Sequence, residues 1–390
     1  MLLLRCRVKG TQNHLILSWN VKGTNETVKR KKLLLYLKQK KVDICFLQET
    51  HLCDEESNKL QRDWVGRVFY SSASSKQRGV AILTRKNLNI KVHKQYSNKD
   101  GRWVAIDVDL FGVKNSLINI YAPNTDSPEF FVDICNIAKQ MGNLYVIIGG
   151  DFNQVRDPAL DKSSSTNNRP KQKSVLTVDT MVEELGLVDI WRLLYSHERE
   201  YTFYSNPHST YSRIDYFLIS KQLVGMTVSA SIGNIVLSDH APVETVLSLG
   251  PRAREPMTRW RLNTSLLQNE TSSKFIKQEI LEYGDQNEGT ASNPGLEWDA
   301  FKTYMRGRLI QHCSFLKKQS IRCLQELERE IKDLEKIYAH QPNLMILSHL
   351  RKLKFELNSI LQKKVEFINE TFKLFYKKLY TSQCNIDQDD

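Results

Sequence analysis

The stretch Tyr145-Val146-Ile147-Ile148-Gly149-Gly150-Asp151-Phe152-Asn153 constrains this chain more than any other. Val146, Ile147 and Ile148 form a short unbroken apolar run, as a strand buried on both faces does. Two glycines follow and free the backbone at the strand's end. Asp151 and Asn153 then stand two residues apart, so in extended chain their side chains point the same way. Such a strand delivers a carboxylate and a carboxamide to one rim of a rigid support. Taken alone, the stretch reads equally well as a strand closed by an Asp/Asn turn. The rest of the chain has to discriminate.

At 390 residues the chain has room for one large domain, or a domain with an appendage. A formal net charge of +12 calls for an anionic partner, nucleic acid first, with a membrane surface or another acidic partner left open. Cys6, Cys45, Cys53, Cys135, Cys313, Cys323 and Cys384 are scattered and form no C-x-x-C pair. That argues against a disulfide framework or zinc knuckle and for a reducing compartment. The chain has no apolar run long enough for a membrane span, and its start lacks a signal-peptide core. An intracellular, nuclear setting is the expectation, with the chain a monomer.

Apolar runs predict strands near 15–21, 42–48, 68–70, 80–83, 103–110, 116–121, 145–151, 201–204, 214–219 and 243–249. Amphipathic spacing predicts helices over 27–40, 129–141 and 175–185. Strands recur with few intervening helices, so the expected class is α+β, two packed mixed sheets flanked by helices. A basic, proline-bearing linker at 249–262 leads to a helical region, 263–390, broken by a polar stretch at 284–295. There Leu324, Leu327, Ile331 and Leu334, and again Leu350, Leu353, Leu357 and Ile360, repeat at threes and fours. With His340-Gln341-Pro342-Asn343 between them, they predict an antiparallel helical hairpin.

Polar residues gather at the strand ends: Asn20, Glu49, Tyr121, Asp151, Asn153, Asp215, Asp239 and His240. Each alone has a plain structural reading. Asn20 suits a turn, Glu49 a surface charge, Tyr121 packing before Pro123, Asp215 an ion pair with Arg213, and Asp239-His240 a turn start. Together they are rich in the oxygen ligands a hard cation takes. His51, His93, His197 and His208 have no such company and read as surface or structural.

In chain order stand Trp19-Asn20-Val21, Leu47-Gln48-Glu49-Thr50, Tyr121-Ala122-Pro123-Asn124, Gly150-Asp151-Phe152-Asn153, Ser212-Arg213-Ile214-Asp215-Tyr216 and Ser238-Asp239-His240-Ala241-Pro242. This series resembles the exonuclease III / apurinic endonuclease / DNase I superfamily, and most of all the endonuclease domain of LINE-type retrotransposon polyproteins. Thr202-Phe203 and Thr210-Tyr211-Ser212-Arg213-Ile214-Asp215 favour that branch. The likeness covers residues 14–248; residues 1–13 match nothing. It implies a four-layer, DNase I-like sandwich that hydrolyses DNA phosphodiesters with Mg²⁺ (or Mn²⁺) and leaves 3′-hydroxyl and 5′-phosphate ends.

By the same resemblance, Glu49 is the principal metal ligand with Asn20 beside it, and Asp151 orients and deprotonates the attacking water. Asn153 holds the phosphate, His240 hydrogen-bonds it, Tyr121 offers a phosphate-side hydroxyl, and Asp215 and Asp239 complete the acidic set. Asp151, Asn153, Asp239 and His240 could form a second metal position. Arg102, Asn124, Thr202, Arg213 and Ser238 are the expected DNA contacts. Lys22 stands where many relatives carry a small polar residue.

Two further features suggest DNA contact. The polar loop at 156–173 carries Arg156, Arg169, Lys171 and Lys173, suited either to grip a phosphate backbone or to stay solvated. The turn at 205–210 is placed to enter a groove. Residues 257–390 look like the helical linker that follows the endonuclease in such polyproteins. The sequence has no Y-x-D-D, which suggests an element product truncated before its reverse transcriptase. A repair enzyme acting at abasic sites or 3′ ends, and an inert nucleic-acid-binding remnant, remain the alternatives.

Overall fold

The computed structural model describes residues 11–64, 66–110, 112–164, 172–251, 260–287 and 293–383. Two six-stranded sheets pack face to face. The first joins β1 (Thr11–Asn20), β2 (Ile44–Gln48), β3 (Gly66–Ser71), β4 (Val80–Arg85), β13 (Thr227–Ile232) and β14 (Val243–Pro251), in the order β13-β14-β1-β2-β4-β3. The second joins β5 (Ile90–Ser97), β6 (Trp103–Leu110), β7 (Val113–Tyr121), β8 (Tyr145–Asp151), β9 (Leu187–Asp189) and β12 (Asp215–Ser220), in the order β5-β6-β7-β8-β12-β9. A separate hairpin pairs β10 (Phe203–Ser205) with β11 (Thr210–Ser212).

Each sheet holds one parallel pair at its centre, β1 with β2 and β7 with β8. A parallel pair needs a crossover. α1 (Thr27–Lys40) supplies it in the first sheet and α3 (Pro128–Met141) in the second. α1 and α2 (Asp54–Asp63) bury Leu33, Leu34, Leu37 and Leu60 against the outer face of the first sheet. α3 and α5 (Lys173–Glu184) bury Phe131, Ile134, Val178 and Met181 against the second. The result is the four-layer α/β sandwich.

Between the sheets the core is apolar, with Phe46 of β2 against Phe217 of β12 at 5.8 Å between ring centres. One polar lock interrupts it. Gln48 Nε2 donates to Ser18 Oγ at 3.1 Å and to Asn119 Oδ1 at 2.6 Å. Asn119 Nδ2 in turn donates to the carbonyls of Leu47 and Ala81. A buried network of this kind fixes how the sheets register, although Gln48 Oε1 itself has no hydrogen-bond partner, and it lies one residue from Glu49.

Gly149 and Gly150 belong to β8 itself rather than to a turn after it. A Cβ on Gly149 would stand 2.4 Å from the Phe217 ring, and one on Gly150 2.0 Å from the Ile120 carbonyl oxygen. The pair therefore serves close packing. β5 and β13 went unseen in the sequence because both are edge strands, with exposed and charged or Ser-rich faces that weaken the alternation. α2 went unseen because only Ser57 and Leu60 of its ten residues are buried.

The short helices α4 (Pro158–Asp161) and α6 (Ile190–Leu194) complete the sandwich, and α7 (Glu270–Asn287), α8 (Pro294–His340) and α9 (Leu344–Gln383) follow. The chain forms two compact units, Met1–Ala253 with Ile331–Asp390, and Arg254–Glu330. The helical region expected over 263–390 is thus divided at residue 331. In the second unit, Arg308 pairs with Glu279, and His312 stacks on Phe275 at 4.2 Å. In the first, α9 lies on α1, where Lys31 Nζ donates to Asn369 Oδ1 at 2.6 Å and Lys32 Nζ to Asn358 Oδ1 at 2.9 Å. The buried stripe of α9 is Leu350, Leu353, Leu357, Leu361 and Val365, with Ile360 half-buried beside it. Residues 1–10, most of the linker, residues 288–292, Arg169 and Lys171 lie outside the described residues.

Candidate active site

Strand register brings the polar ends together. Asn20 of β1 stands opposite Gln48, so Glu49 emerges next to it. Tyr121 of β7 stands opposite Asp151, and Asp151 opposite Asp215. His240 precedes β14 and bridges to Phe203. All of these groups share one end of the sandwich.

Two hydrogen-bonded groups, set side by side, link them. Asn20 Nδ2 donates to Glu49 Oε1 at 2.8 Å and to Asp151 Oδ2 at 2.9 Å, so one amide spans two carboxylates. The Asn153 N–H donates to Asp151 Oδ1 at 2.9 Å. His240 Nδ1 meets Asp215 Oδ2 at 2.9 Å, and its Nε2 lies 3.9 Å from Asp151 Oδ2. The Trp19 indole holds the His240 carbonyl at 2.9 Å. Glu49 and Asn153 both adopt positive φ, 51° each, which non-glycine residues rarely do. Such strain is concentrated at functional sites.

The carboxylates have opposite proton affinities. Burial raises the pKa of Asp151, and the Asp215 charge raises it further. Burial would also raise Glu49, but hydrogen bonds from His51, Asn20 and Tyr121 outweigh it and lower the pKa to about 2. Burial would lower His240, but Asp215 and Asp151 raise it to about 9, so the imidazole is cationic at neutral pH with Nδ1 donating to Asp215. The Tyr121 hydroxyl is raised by burial and by Glu49 and Asp151.

The donor set suits a hard divalent cation. Asp151, Asp215 and His240 each place one side-chain O or N atom within 4.8 Å of the others, with the two carboxylates as the donors open to a cation while His240 is protonated. Asp215 Oδ1 is buried without a hydrogen-bond partner. Three carboxylates face one imidazolium, which leaves a net negative site of mostly oxygen donors.

Other expected residues fall in different places. Asp239 turns to Lys22 Nζ at 2.6 Å, and the Asn153 amide donates to the Ala122 carbonyl. Neither joins the three-residue group that Asp151 and His240 form with Asp215. Ser238 is half-buried and caps the His240 N–H at 3.3 Å. Asn124 is exposed. Arg102 stacks over the Tyr121 ring at 4.8 Å and donates to the Ala122 carbonyl at 3.1 Å. Of the loop cations, Arg156 is paired with Asp179 at 2.7 Å.

Two expectations need correction. Arg213 is 1% exposed and locked to Asp161 at 2.7 Å and Asp189 at 2.8 Å. It therefore does not pair with Asp215, and its guanidinium is turned inward, away from the surface where DNA was expected to meet it. Thr202 is fully buried, and its Oγ accepts the N–H groups of Ile214 at 3.0 Å and Asp215 at 3.1 Å. It shapes the strand that presents Asp215 and touches no solvent. His51 was missed as a site residue. Its Nε2 lies 3.3 Å from Glu49 Oε2, and its place two residues after Glu49 was the available signal.

Paired acids and an imidazolium set against an oxygen-rich rim, at one end of a four-layer sandwich, place the chain among the phosphoester hydrolases. The profile of the Endonuclease/Exonuclease/phosphatase family matches residues 17–240, more than half the chain, and the chain belongs to that family. It is 28% identical over 322 residues to the Transposon TX1 uncharacterized 149 kDa protein of Xenopus laevis, covering 81% of this chain and 24% of that one. The chain thus spans about a quarter of that relative, and the likeness continues past residue 240 into the helical region. It is 25% identical over 264 residues to an exodeoxyribonuclease of Bacillus subtilis, covering 60% of this chain and 99% of that one. Among solved structures, an AP endonuclease from Leishmania major matches with TM-score 0.52 at 17% identity, over 61% of this chain and 88% of that one. The catalytic domain of Xenopus laevis APE2 matches with TM-score 0.50 at 19% identity, over 62% and 94%. These two share the fold.

Proposed function

We propose that this chain is a divalent-metal-dependent endonuclease that nicks duplex DNA by in-line hydrolysis, leaving 3′-hydroxyl and 5′-phosphate ends, as the endonuclease of a retrotransposon does. The observation that carries the reading is the linked set Glu49–Asn20–Asp151 with Asp215–His240, in which proton affinities are pushed apart. Asp151 is held by two donors and has a raised proton affinity, so it can orient a water and take its proton. His240 stays protonated with Nδ1 on Asp215, leaving Nε2–H to bind a phosphate oxygen as charge develops there. Glu49 with Asn20 would hold the cation, and Tyr121 steadies Glu49 from the other side. When bound, Mg²⁺ supplies charge neutralisation at the phosphate and at the leaving 3′-oxygen.

The retrotransposon branch rests on the long likeness to the transposon protein. One observation favours a second reading. The Bacillus subtilis exodeoxyribonuclease is matched across nearly its whole length, so action at abasic sites or 3′ ends shares this machinery. The test sets supercoiled plasmid beside a duplex with one abasic site, both with Mg²⁺, for wild type, Asp151→Ala and His240→Ala. Nicking of plasmid that needs both residues, with little preference for the abasic strand, supports the retrotransposon-type nickase. Strong abasic-site or 3′-end preference moves the chain to repair. Folded protein that cleaves neither substrate would leave a nucleic-acid-binding relic.

A further inference from the structure

The last turns of α8 belong to the same compact unit as the sandwich and pack against the base of the β10–β11 hairpin. Tyr338 is 7% exposed, and its ring meets Tyr204 of β10 at 6.4 Å and Tyr211 of β11 at 6.3 Å, edge-on to both. Tyr204 and Tyr211 themselves pair across the hairpin at 4.6 Å. Below this ring cluster the helix is fastened by ions. Lys332 and Lys336 both reach Glu200, at 3.0 and 2.7 Å, and Lys332 also donates to the Ile232 carbonyl at 2.7 Å. Glu335 is partly buried and takes Lys354 of α9 at 2.6 Å. The helix is thus held to the sandwich by contacts on both sides of the hairpin's base.

The other face of the hairpin is the active site. Phe203, the first residue of β10, stacks on the His240 imidazole at 4.7 Å and bridges to its backbone. The Tyr204 N–H donates to the Asp239 carbonyl at 3.2 Å, and the Ala241 N–H to the Thr202 carbonyl at 2.6 Å. The hairpin tip at Asn206, Pro207 and His208 is exposed. One rigid ribbon therefore joins the exposed tip, the imidazole and the helix.

We infer that the end of α8 is a buttress that fixes the angle of the β10–β11 hairpin over His240, making Tyr338 a positioning residue for where the nuclease cuts. The inference rests on the nuclease reading above. A hairpin held at one angle presents its tip to one register of the duplex. A loosened hairpin samples several registers, and the choice of nick site broadens. The ion pairs to Glu200 fasten the helix below, and the Tyr338 ring is the part that bears on the hairpin strands.

The test compares wild type, Tyr338→Ala and Tyr338→Phe in the full chain. Nick positions are mapped on one end-labelled duplex with Mg²⁺, and amide hydrogen exchange is followed for residues 203–212. The ratio of products at the preferred site to those elsewhere does not depend on how much protein is folded. Tyr338→Ala should lower that ratio by roughly two- to tenfold, the size expected for a lost aromatic contact, and speed exchange in the hairpin. Tyr338→Phe should restore both, since it keeps the ring. An unchanged product ratio together with unchanged hairpin exchange in Tyr338→Ala overturns the buttress. Unchanged ratios with faster exchange overturn its role in site choice. Wild-type protein that makes no nicks defeats the nuclease reading, and the inference about site choice with it.

Discussion

The site has two sides built on different physics. On the buried side, Asp151, Asp215 and His240 are each 5% exposed or less and make nearly all their bonds to one another and to backbone. On the open side, Glu49 stands half-buried among Asn20, His51 and Tyr121, and Asp239 meets a largely exposed Lys22. The same residue type behaves oppositely on the two sides. Burial and a like charge raise the proton affinity of Asp151, and donated hydrogen bonds lower that of Glu49. The difference supports the proposed roles: a base needs proton affinity, a cation ligand needs permanent charge.

The largest effect should come from breaking the buried side. Asp151→Ala or His240→Ala should cut plasmid nicking by about 10²–10⁴-fold, the range for a positioned acid or base. Circular dichroism should show both variants folded. Combining them should cost much less than the product of the two losses, because the residues act on one step. Full multiplicativity would mean that they act separately.

The next effect separates structure from DNA contact. Arg213 is fully buried between Asp161 and Asp189. Arg213→Ala leaves Asp189 without its side-chain cation and Asp161 with Arg192 alone, and should cost ~3–5 kcal/mol in urea unfolding. A residue that only bound phosphate would leave stability unchanged and would reduce the salt dependence of DNA binding instead. Arg213 also shows where sequence reading stops. Its place two residues before Asp215 pointed to that acid, but Arg213 lies in the connection between β11 and β12, outside either strand, and its guanidinium turns to Asp161 and Asp189. The true partners, Asp161 and Asp189, are 52 and 24 positions away and could be found only through the fold.

Much else was legible for a physical reason. The strand-end series Asn20, Glu49, Tyr121, Asp151, Asp215 and His240 could be read because a buried apolar run announces its own end. The α1 and α3 crossovers could be read from spacing, and the two mixed sheets followed. Edge strands β5 and β13 could not, since their exposed faces carry no period. His51 offered only its spacing of two from Glu49, and the positive φ of both residues, 51° and 53°, which sets how the imidazole meets that carboxylate, has no mark in the sequence. The clamp of Tyr338 on the hairpin joins residues far apart in sequence and left no local signal.

A smaller effect comes through pH. His240 holds its proton more tightly folded than unfolded, with a pKa raised from 6.5 to about 9. A raised folded pKa gives stability that is complete below 6.5 and is lost as pH climbs through about 9. In EDTA, unfolding free energy should therefore fall across that window, by at most about 1.4 kcal/mol per pH unit for one proton. His240→Gln should flatten the fall. Asp151 has the same sign, but its contribution is lost from the carboxylate range upward, so a slope surviving at lower pH in His240→Gln belongs to it.

The smallest effect tests the open side. The Lys22 side chain is 60% exposed, and its pair with Asp239 is the solvent-facing kind. Lys22→Ala should change stability by less than about 1 kcal/mol, because screening and side-chain entropy offset most of the attraction. Its effect belongs to binding. Lys22 stands beside Asn20 and near Lys29, a cation at the mouth of a site meant for a polyanion. Nicking by Lys22→Ala should show a raised KM that converges on wild type as salt rises, with kcat nearly unchanged. A fall in kcat with KM unchanged would instead mean that the Lys22–Asp239 pair holds the loop carrying His240. The open side would then be part of the buried machinery, and the division drawn here would be wrong.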